Sequence, residues 1–206
     1  MMNQILFINS SPRGDASHSS AVAKQLIAQL KAKEPKSTVI TRDLTVNPLP
    51  HIGDDFVIGS RIEADKRNAA QNEAVAVSDK LVAELVKADT VVIASPMFNF
   101  GPTTNLKGWF DQILRAGVTF KYTDTGPVGL LSAKKVFVIM ARGGVYSQGP
   151  MKAIDFQEPY LRHLLGFMGL TDVSFIPVEG IAYGPEAAEK SVAAAINSIP
   201  ALLEAA

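Results

Sequence analysis

The 206-residue chain has no cysteine. Disulfides, thiol redox chemistry and cysteine-ligated metals are excluded, so any electrons it handles must reside on a bound group. It also has no excess of charge: 20 Lys and Arg balance 20 Asp and Glu. No basic cluster points to nucleic acid, and no acidic tail is present. Long apolar runs are missing, and none approaches the ~20 residues of a membrane span. No signal-peptide pattern precedes the first strand pattern, so a cytoplasmic protein is expected. Its three histidines, His18, His51 and His163, are scattered without metal-ligand spacing. No G-x-S-x-G elbow occurs and the serines lack a His/Asp set, which leaves hydrolase chemistry poorly supported.

What is present reads as one domain over residues 1–206, with enough apolar residues for a real core. Apolar runs occur at Ile5-Leu6-Phe7-Ile8, Val91-Val92-Ile93-Ala94, Val136-Phe137-Val138-Ile139-Met140 and 173–178, with a weaker run at 38–41. Continuous β-branched runs suit a parallel sheet covered on both faces. Helical periodicity is expected over 21–30, 73–86, 104–116, about 153–167 and 185–203, with Pro185 at the first helical position and Glu186 in the first turn. The alternation predicts a three-layer α/β sandwich around a five-stranded parallel sheet, strand order 2-1-3-4-5. Two excursions, 45–72 and 117–132, break the rhythm and are suited to cover a ligand or build a subunit contact. Residues 118–122 read as a short strand within the second.

In such a sheet ligands bind beyond the carboxyl ends of the strands. Three loops there are unusual. The first runs through Ser10, Ser11, Ser17, His18 and Ser19 and opens a helix. It lacks the Walker A and G-x-G-x-x-G strings. A serine-rich cradle without a lysine suits a mononucleotide phosphate, with FMN the leading candidate; an ordinary capped helix is the other reading. The second loop, Pro96-Met97-Phe98-Asn99-Phe100, offers flat apolar groups for a planar ring and an amide for its polar edge; alternatively Met97 and Phe98 fill core. The third, Ala141-Arg142-Gly143-Gly144, lets backbone approach a ligand and permits positive φ, with N–H groups free for the pyrimidine side of a flavin; a plain Gly-Gly turn is the alternative.

Other signals are weaker. Asp54-Asp55 reads as a solvated turn, and Asp111 with Arg115 as a surface i, i+4 ion pair. Arg61, Lys66 and Arg67 are candidates for a 2′-phosphate.

With these loops, the chain resembles the FMN-dependent NADH azoreductases, a quinone-reductase family of flavodoxin-like fold. The likeness runs through Pro96–Phe100, Leu106-Lys107, Phe110-Asp111, 115–122, Lys134-Lys135, Arg142-Gly143-Gly144, Pro159-Tyr160-Leu161, Gly166-Phe167 and 179–186. It implies bound FMN, with Ser10, Ser17, His18 and Ser19 at the phosphate, Pro96, Met97, Phe98 and Asn99 along the ring and ribityl chain, and Ala141, Arg142, Gly143 and Gly144 at the pyrimidine edge. It implies NADH or NADPH as electron donor, quinones and azo compounds as substrates, no nucleic-acid or membrane partner, and a homodimer with flavin at the interface. Two departures stand out: Phe98 where Tyr is frequent, and Ala141 where Ser is frequent. A flavodoxin-type electron carrier is the alternative. The zero net charge speaks against it, because carriers steer docking with a strong field.

Overall fold

The computed structural model describes residues 3–204. Five parallel strands form the central sheet: β1 (Gln4–Asn9), β2 (Thr38–Asp43), β3 (Thr90–Pro96), β6 (Lys135–Ala141) and β7 (Val173–Val178). Their order is β2-β1-β3-β6-β7. β4 (Phe120–Thr123) and β5 (Gly126–Gly129) lie within the second excursion and pair antiparallel as a separate hairpin. The short strand expected at 118–122 is present as β4, shifted to start at Phe120, and its partner β5 was not expected. The central strands are buried almost throughout, as the unbroken apolar runs require.

Helices cover both faces, and the side chains divide into two cores accordingly. α1 (His18–Lys33) and α6 (Pro185–Glu204) cover one face, where Val22, Leu26 and Ile199 meet Ile5, Val92, Phe137 and Ile176. α3 (Ala69–Lys87), α4 (Thr104–Ile113) and α5 (Gln157–Phe167) cover the other, where Leu81, Leu85, Trp109, Phe110, Leu161 and Leu165 meet Leu6, Ile8, Val91 and Val138.

Helix boundaries differ from the periodic expectation for identifiable reasons. α3 starts at Ala69 because Asn68 and Gln71 form a reciprocal capping box. α4 stops at Ile113 because the Thr119 hydroxyl donates to the Ile113 carbonyl (2.7 Å) and accepts the Arg115 N–H (3.0 Å), competing with the next helical turn. α5 starts at Gln157, where Asp155 Oδ1 accepts the Gln157 and Glu158 N–H groups (2.9 and 3.1 Å). Asp54 and Asp55 are exposed but open a short helix, α2 (Asp54–Gly59), so the expected turn is corrected. Two carboxylates in a first turn favour the helix dipole.

The expected Asp111–Arg115 pair does not form. Asp111 pairs with Lys107 at 2.5 Å, one turn back. Arg115, past the helix end and 7% exposed, instead donates to Asp79 and to Ser78 Oγ.

The β4–β5 hairpin is held against the end of α5 by backbone contact. A Cβ on Gly129 would fall 2.0 Å from the Gly169 nitrogen, and Leu131 donates to the Met168 carbonyl at 2.9 Å. Gly129→Ala is therefore expected to destabilise the protein by about 1–3 kcal/mol. Gly108→Ala in α4, where nothing lies within 4 Å, should gain up to about 1 kcal/mol. Urea midpoints of the two variants moving in the same direction would show that the hairpin contact is not a close one.

Candidate functional site

Parallel strands all end at one edge, so the loops after β1, β3 and β6 meet there. Asn9, the last residue of β1, organises the first. Its Oδ1 accepts the Ser20 hydroxyl (2.8 Å) and the Ser11 N–H (3.3 Å), while Nδ2 donates to Asp43 Oδ2 (2.7 Å) at the end of β2. Ser17 caps α1: its Oγ accepts the Ser20 N–H at 3.1 Å and lies 3.2 Å from Ser19 Oγ. The Ser10 hydroxyl, fully buried, donates to the Ala94 carbonyl at 2.7 Å and so ties β1 to β3 beneath the loop. Among the described residues the His18 and Ser19 N–H groups have no acceptor in the protein. These two donors, the Ser17 and Ser19 hydroxyls and the positive end of the α1 dipole form a cradle for an anion.

The loop after β3 is a tight hairpin. Met97 N–H donates to the Ala141 carbonyl (2.8 Å), and Phe98 and Gly101 exchange hydrogen bonds of 2.9 and 3.0 Å. The two residues between them, Asn99 and Phe100, have φ of 47° and 72°. A two-residue turn with both φ positive normally carries Asn-Gly; a phenylalanine there costs roughly 1–2 kcal/mol. Phe98 and Phe100 emerge 49% and 42% exposed. Phe98 therefore does not fill core; Pro96 and Met97 are half-buried. Phe100 meets the Tyr146 ring edge-on at 6.4 Å, and its carbonyl accepts the Phe156 N–H at 3.1 Å.

The loop after β6 shows the most directed geometry. The Arg142, Gly143 and Gly144 carbonyls accept the N–H groups of Ile181 (3.3 Å), Ala182 (3.0 Å) and Gly180 (3.1 Å), respectively. In a trans peptide the carbonyl points opposite to the next residue's N–H. With its carbonyls tied to the 180–182 strap, the loop turns the Gly143, Gly144 and Val145 N–H groups the other way, and among the described residues none has an acceptor. Neither Gly143 nor Gly144 uses the positive φ that glycine permits. Tightness, not backbone handedness, favours glycine at 144: a Cβ would sit 3.3 Å from the Tyr146 ring.

Arg142 itself turns beneath this loop. Its N–H donates to the Val178 carbonyl (2.8 Å), and its guanidinium has no exposure to solvent. It donates to Gln157 Oε1 (3.0 Å), Glu179 Oε1 (3.1 Å), Asp155 Oδ2 (2.9 Å) and Met140 Sδ (3.1 Å). Gln157 Nε2 then donates to the Ser95 carbonyl (2.9 Å) and hydroxyl (3.0 Å) at the end of β3. Glu179 also accepts the Tyr146 and Ser147 N–H groups at 2.8 and 3.0 Å. Burial alone would raise the Glu179 pKa, but the donors from Ser147, Tyr146 and Arg142 outweigh it and hold the carboxyl below its ordinary range.

Of the residues singled out in the sequence, Ser17, His18, Ser19, Asn99, Gly143 and Gly144 thus offer groups free for a ligand, and Met97 and Phe98 line the same edge. Ser10, Ala141 and Arg142 support it from beneath, Ala141 through its carbonyl. Sequence reasoning missed Asn9, Gln157 and the 180–182 strap. An asparagine ending a buried strand was the one local signal for Asn9. The 2′-phosphate candidates also divide: Arg67 is spent on the Gly59 and Ile62 carbonyls (2.7 and 3.2 Å), and Lys66 lies 4.0 Å from Glu63. Arg61 is exposed, beside a cavity of about 510 Å³ lined by Phe56, Leu114, Phe120 and Tyr122. A second cavity, about 640 Å³, opens at the opposite edge of the sheet near Asn3, Asp89 and Lys134. The three lysines that line it are engaged, Lys33 by the Leu203 carbonyl, Lys134 by those of Val86 and Ala88, and Lys135 by Asp172. Neither cavity is lined by residues of the three loops.

A parallel β-α-β sheet with helices on both faces and three such loops gathered at one edge defines a doubly wound α/β protein. The chain belongs to the family described as having the flavodoxin-like fold, matched over residues 3–203. It is 50% identical over 205 residues to the FMN-dependent NADH:quinone oxidoreductase of Agrobacterium fabrum (strain C58), covering 100% of both chains. The azoreductase from Bacillus anthracis str. Sterne superposes with a TM-score of 0.88 at 34% identity, covering 96% of this chain and 97% of that one. The FMN-dependent NADH-azoreductase from Bacillus anthracis str. Ames Ancestor, solved in complex with FMN, gives 0.86 at 26% identity, covering 98% and 99%.

Because Glu179 is held below its ordinary pKa, its charge stabilises the fold fully above the unfolded-chain value of about 4.3 and loses that contribution as pH falls through the lower folded value. Glu179→Gln should cost about 1–3 kcal/mol near neutrality. Urea midpoints should show that difference shrinking as pH falls below the unfolded-chain value of about 4.3. A difference independent of pH would show that the carboxylate charge is not what the cluster needs.

Proposed function

We propose that this protein is an FMN-dependent NAD(P)H:quinone oxidoreductase with azoreductase activity, using one open pocket in turn for donor and acceptor. The observation that carries this reading is the pair of free donor sets, His18–Ser19 and Gly143–Val145, on either side of the aromatic Phe98–Phe100 hairpin. The donor chemistry fits FMN. Two backbone N–H groups and two hydroxyls suit its phosphate, flat side chains suit its ring, and three aligned N–H groups suit its pyrimidine edge. Bound FMN would supply the redox chemistry, accepting a hydride from NAD(P)H and passing two electrons to a quinone or azo compound.

The protein's own part is binding, orientation and exclusion of water. The strap at 180–182 aims the Gly143–Val145 donors. Ser17 and Ser19 hold the phosphate. Phe98 and Phe100, with Tyr183 at 70% and Phe156 at 62% exposure, present apolar surface against which a second flat molecule can stack. So much exposed apolar surface beside the free donors supports a homodimer in which a second copy covers it. The curated relative's name supports the enzyme over an electron carrier. We place the protein in the cytoplasm on its sequence; no helix among the described residues is long and apolar enough to cross a membrane. Arg61, exposed beside the cavity lined by Phe56 and Tyr122, is the candidate contact for a 2′-phosphate, with NADPH an alternative donor to NADH.

An anaerobic visible spectrum of the FMN-loaded protein tests the reading directly. NADH should bleach the flavin and a benzoquinone should restore it. A bound flavin that neither NADH nor NADPH bleaches would return the protein to the carrier class. The phosphate cradle has its own test. Ser19→Ala should weaken FMN binding by about 0.5–1.5 kcal/mol and leave riboflavin binding unchanged. Ser17→Ala is the poorer choice, because loss of the cap costs about 1 kcal/mol of stability by itself. Equal loss for both ligands would mean that Ser19 does not hold the phosphate.

A further inference from the structure

Arg142 carries a charge that water cannot reach, and nothing in the proposed chemistry uses it directly. Four of its N–H groups are engaged, and each partner belongs to a different part of the site floor. Gln157 relays to Ser95 under the aromatic hairpin. Glu179 holds the N–H groups of Tyr146 and Ser147, just beyond the three free donors. Asp155 caps α5. One buried carboxylate, Asp155, and one partly buried, Glu179, face one guanidinium, so carboxylates outnumber it two to one.

We propose that Arg142 is a positioning residue for the ring end of the flavin site: it fixes the Gly143–Val145 donors against the Pro96–Asn99 loop and, by balancing Asp155 and Glu179, sets how readily a bound flavin is reduced. This rests on the flavin reading given above. Buried charges act over distance in a low dielectric. Two-electron reduction puts negative charge on the pyrimidine side of the ring, so each unit of charge in the cluster shifts the balance between oxidised and reduced flavin. Replacing Arg142 with a neutral residue leaves two unopposed carboxylates and disfavours the reduced form. Neutralising either carboxylate favours it.

The test compares Arg142→Met, Arg142→Lys, Asp155→Asn and Glu179→Gln with the parent protein, each loaded with FMN. Midpoint potential, FMN and riboflavin affinity, and thermal unfolding are measured for each. Arg142→Met should lower the relative affinity for reduced flavin about tenfold, equivalent to a potential about 30 mV lower for a two-electron couple. Asp155→Asn and Glu179→Gln should raise the potential. Arg142→Met should also weaken FMN and riboflavin by the same factor, about tenfold, because both share the ring. That separates it from Ser19→Ala, which touches only the phosphate. Arg142→Lys keeps the charge but loses the fork; it should leave the potential close to the parent value while weakening both ligands. A merely structural role would loosen the site in every variant and move all the potentials one way, and that result overturns the proposal. If Arg142→Met does not fold, the rise in potential with Asp155→Asn and its absence with Arg142→Lys decide the matter. A parent protein that binds no FMN overturns the flavin reading and this proposal together; normal FMN binding with potentials that do not move overturns only the proposal.

Discussion

A guanidinium sealed from water sits where β3, β6 and β7 end, and the arrangement of the functional edge depends on how its charge is met. Removing one partner of such a buried pair commonly costs about 3–5 kcal/mol, because the other charge is left uncompensated. Hydrophobic residues of similar volume would fill the space at no cost in stability. What they would not do is hold three strand ends in one geometry. Arg142 reaches Gln157, Asp155 and Glu179 at once, and through them the hairpin after β3 and the loop after β6. The cluster specifies an arrangement more than it adds to stability.

The same edge holds strain as well as charge. Asn99 and Phe100 turn the chain through positive φ, and the phenylalanine does so against its steric preference. The gain is placement. Two aromatic rings stand out from the sheet edge, one braced by Tyr146, where a glycine turn would present nothing. A core under selection for stability alone would not keep such a turn. Strain and exposed apolar surface at one place agree with the ligand-binding role drawn from the hydrogen bonds.

Much of this was legible in the residues. Unbroken apolar runs marked β1, β3 and β6 and broken ones β2 and β7, and the serine-rich, aromatic and Gly-Gly loops do meet at one sheet edge. Ser17, Ser19, Asn99, Gly143 and Gly144 all came from that reading. The misses share a cause. Periodicity reports which face of an element is buried, but it carries no trace of hydrogen bonds between segments far apart in the chain. The resemblance puts Arg142 at the pyrimidine edge with the two glycines; Asp155 and Glu179, brought in from elsewhere in the chain, draw its side chain inward instead. Arg115 reads as the partner of Asp111 because helix spacing puts them together, yet Thr119 ends the helix first. Asn68 and Gln71 likewise start α3 earlier than the apolar repeat suggests.

The strap that aims the Gly143–Val145 donors comes from residues 180–182, after the last strand of the sheet. During synthesis the serine loop and α1 leave the ribosome early, but Asn9 waits for Asp43 and Ser10 for Ala94, and the Gly143–Val145 donors stay unaimed until almost the whole chain has emerged. A chain truncated before Gly180 keeps all five sheet strands, β7 (Val173–Val178) included, yet lacks the strap that aims those donors.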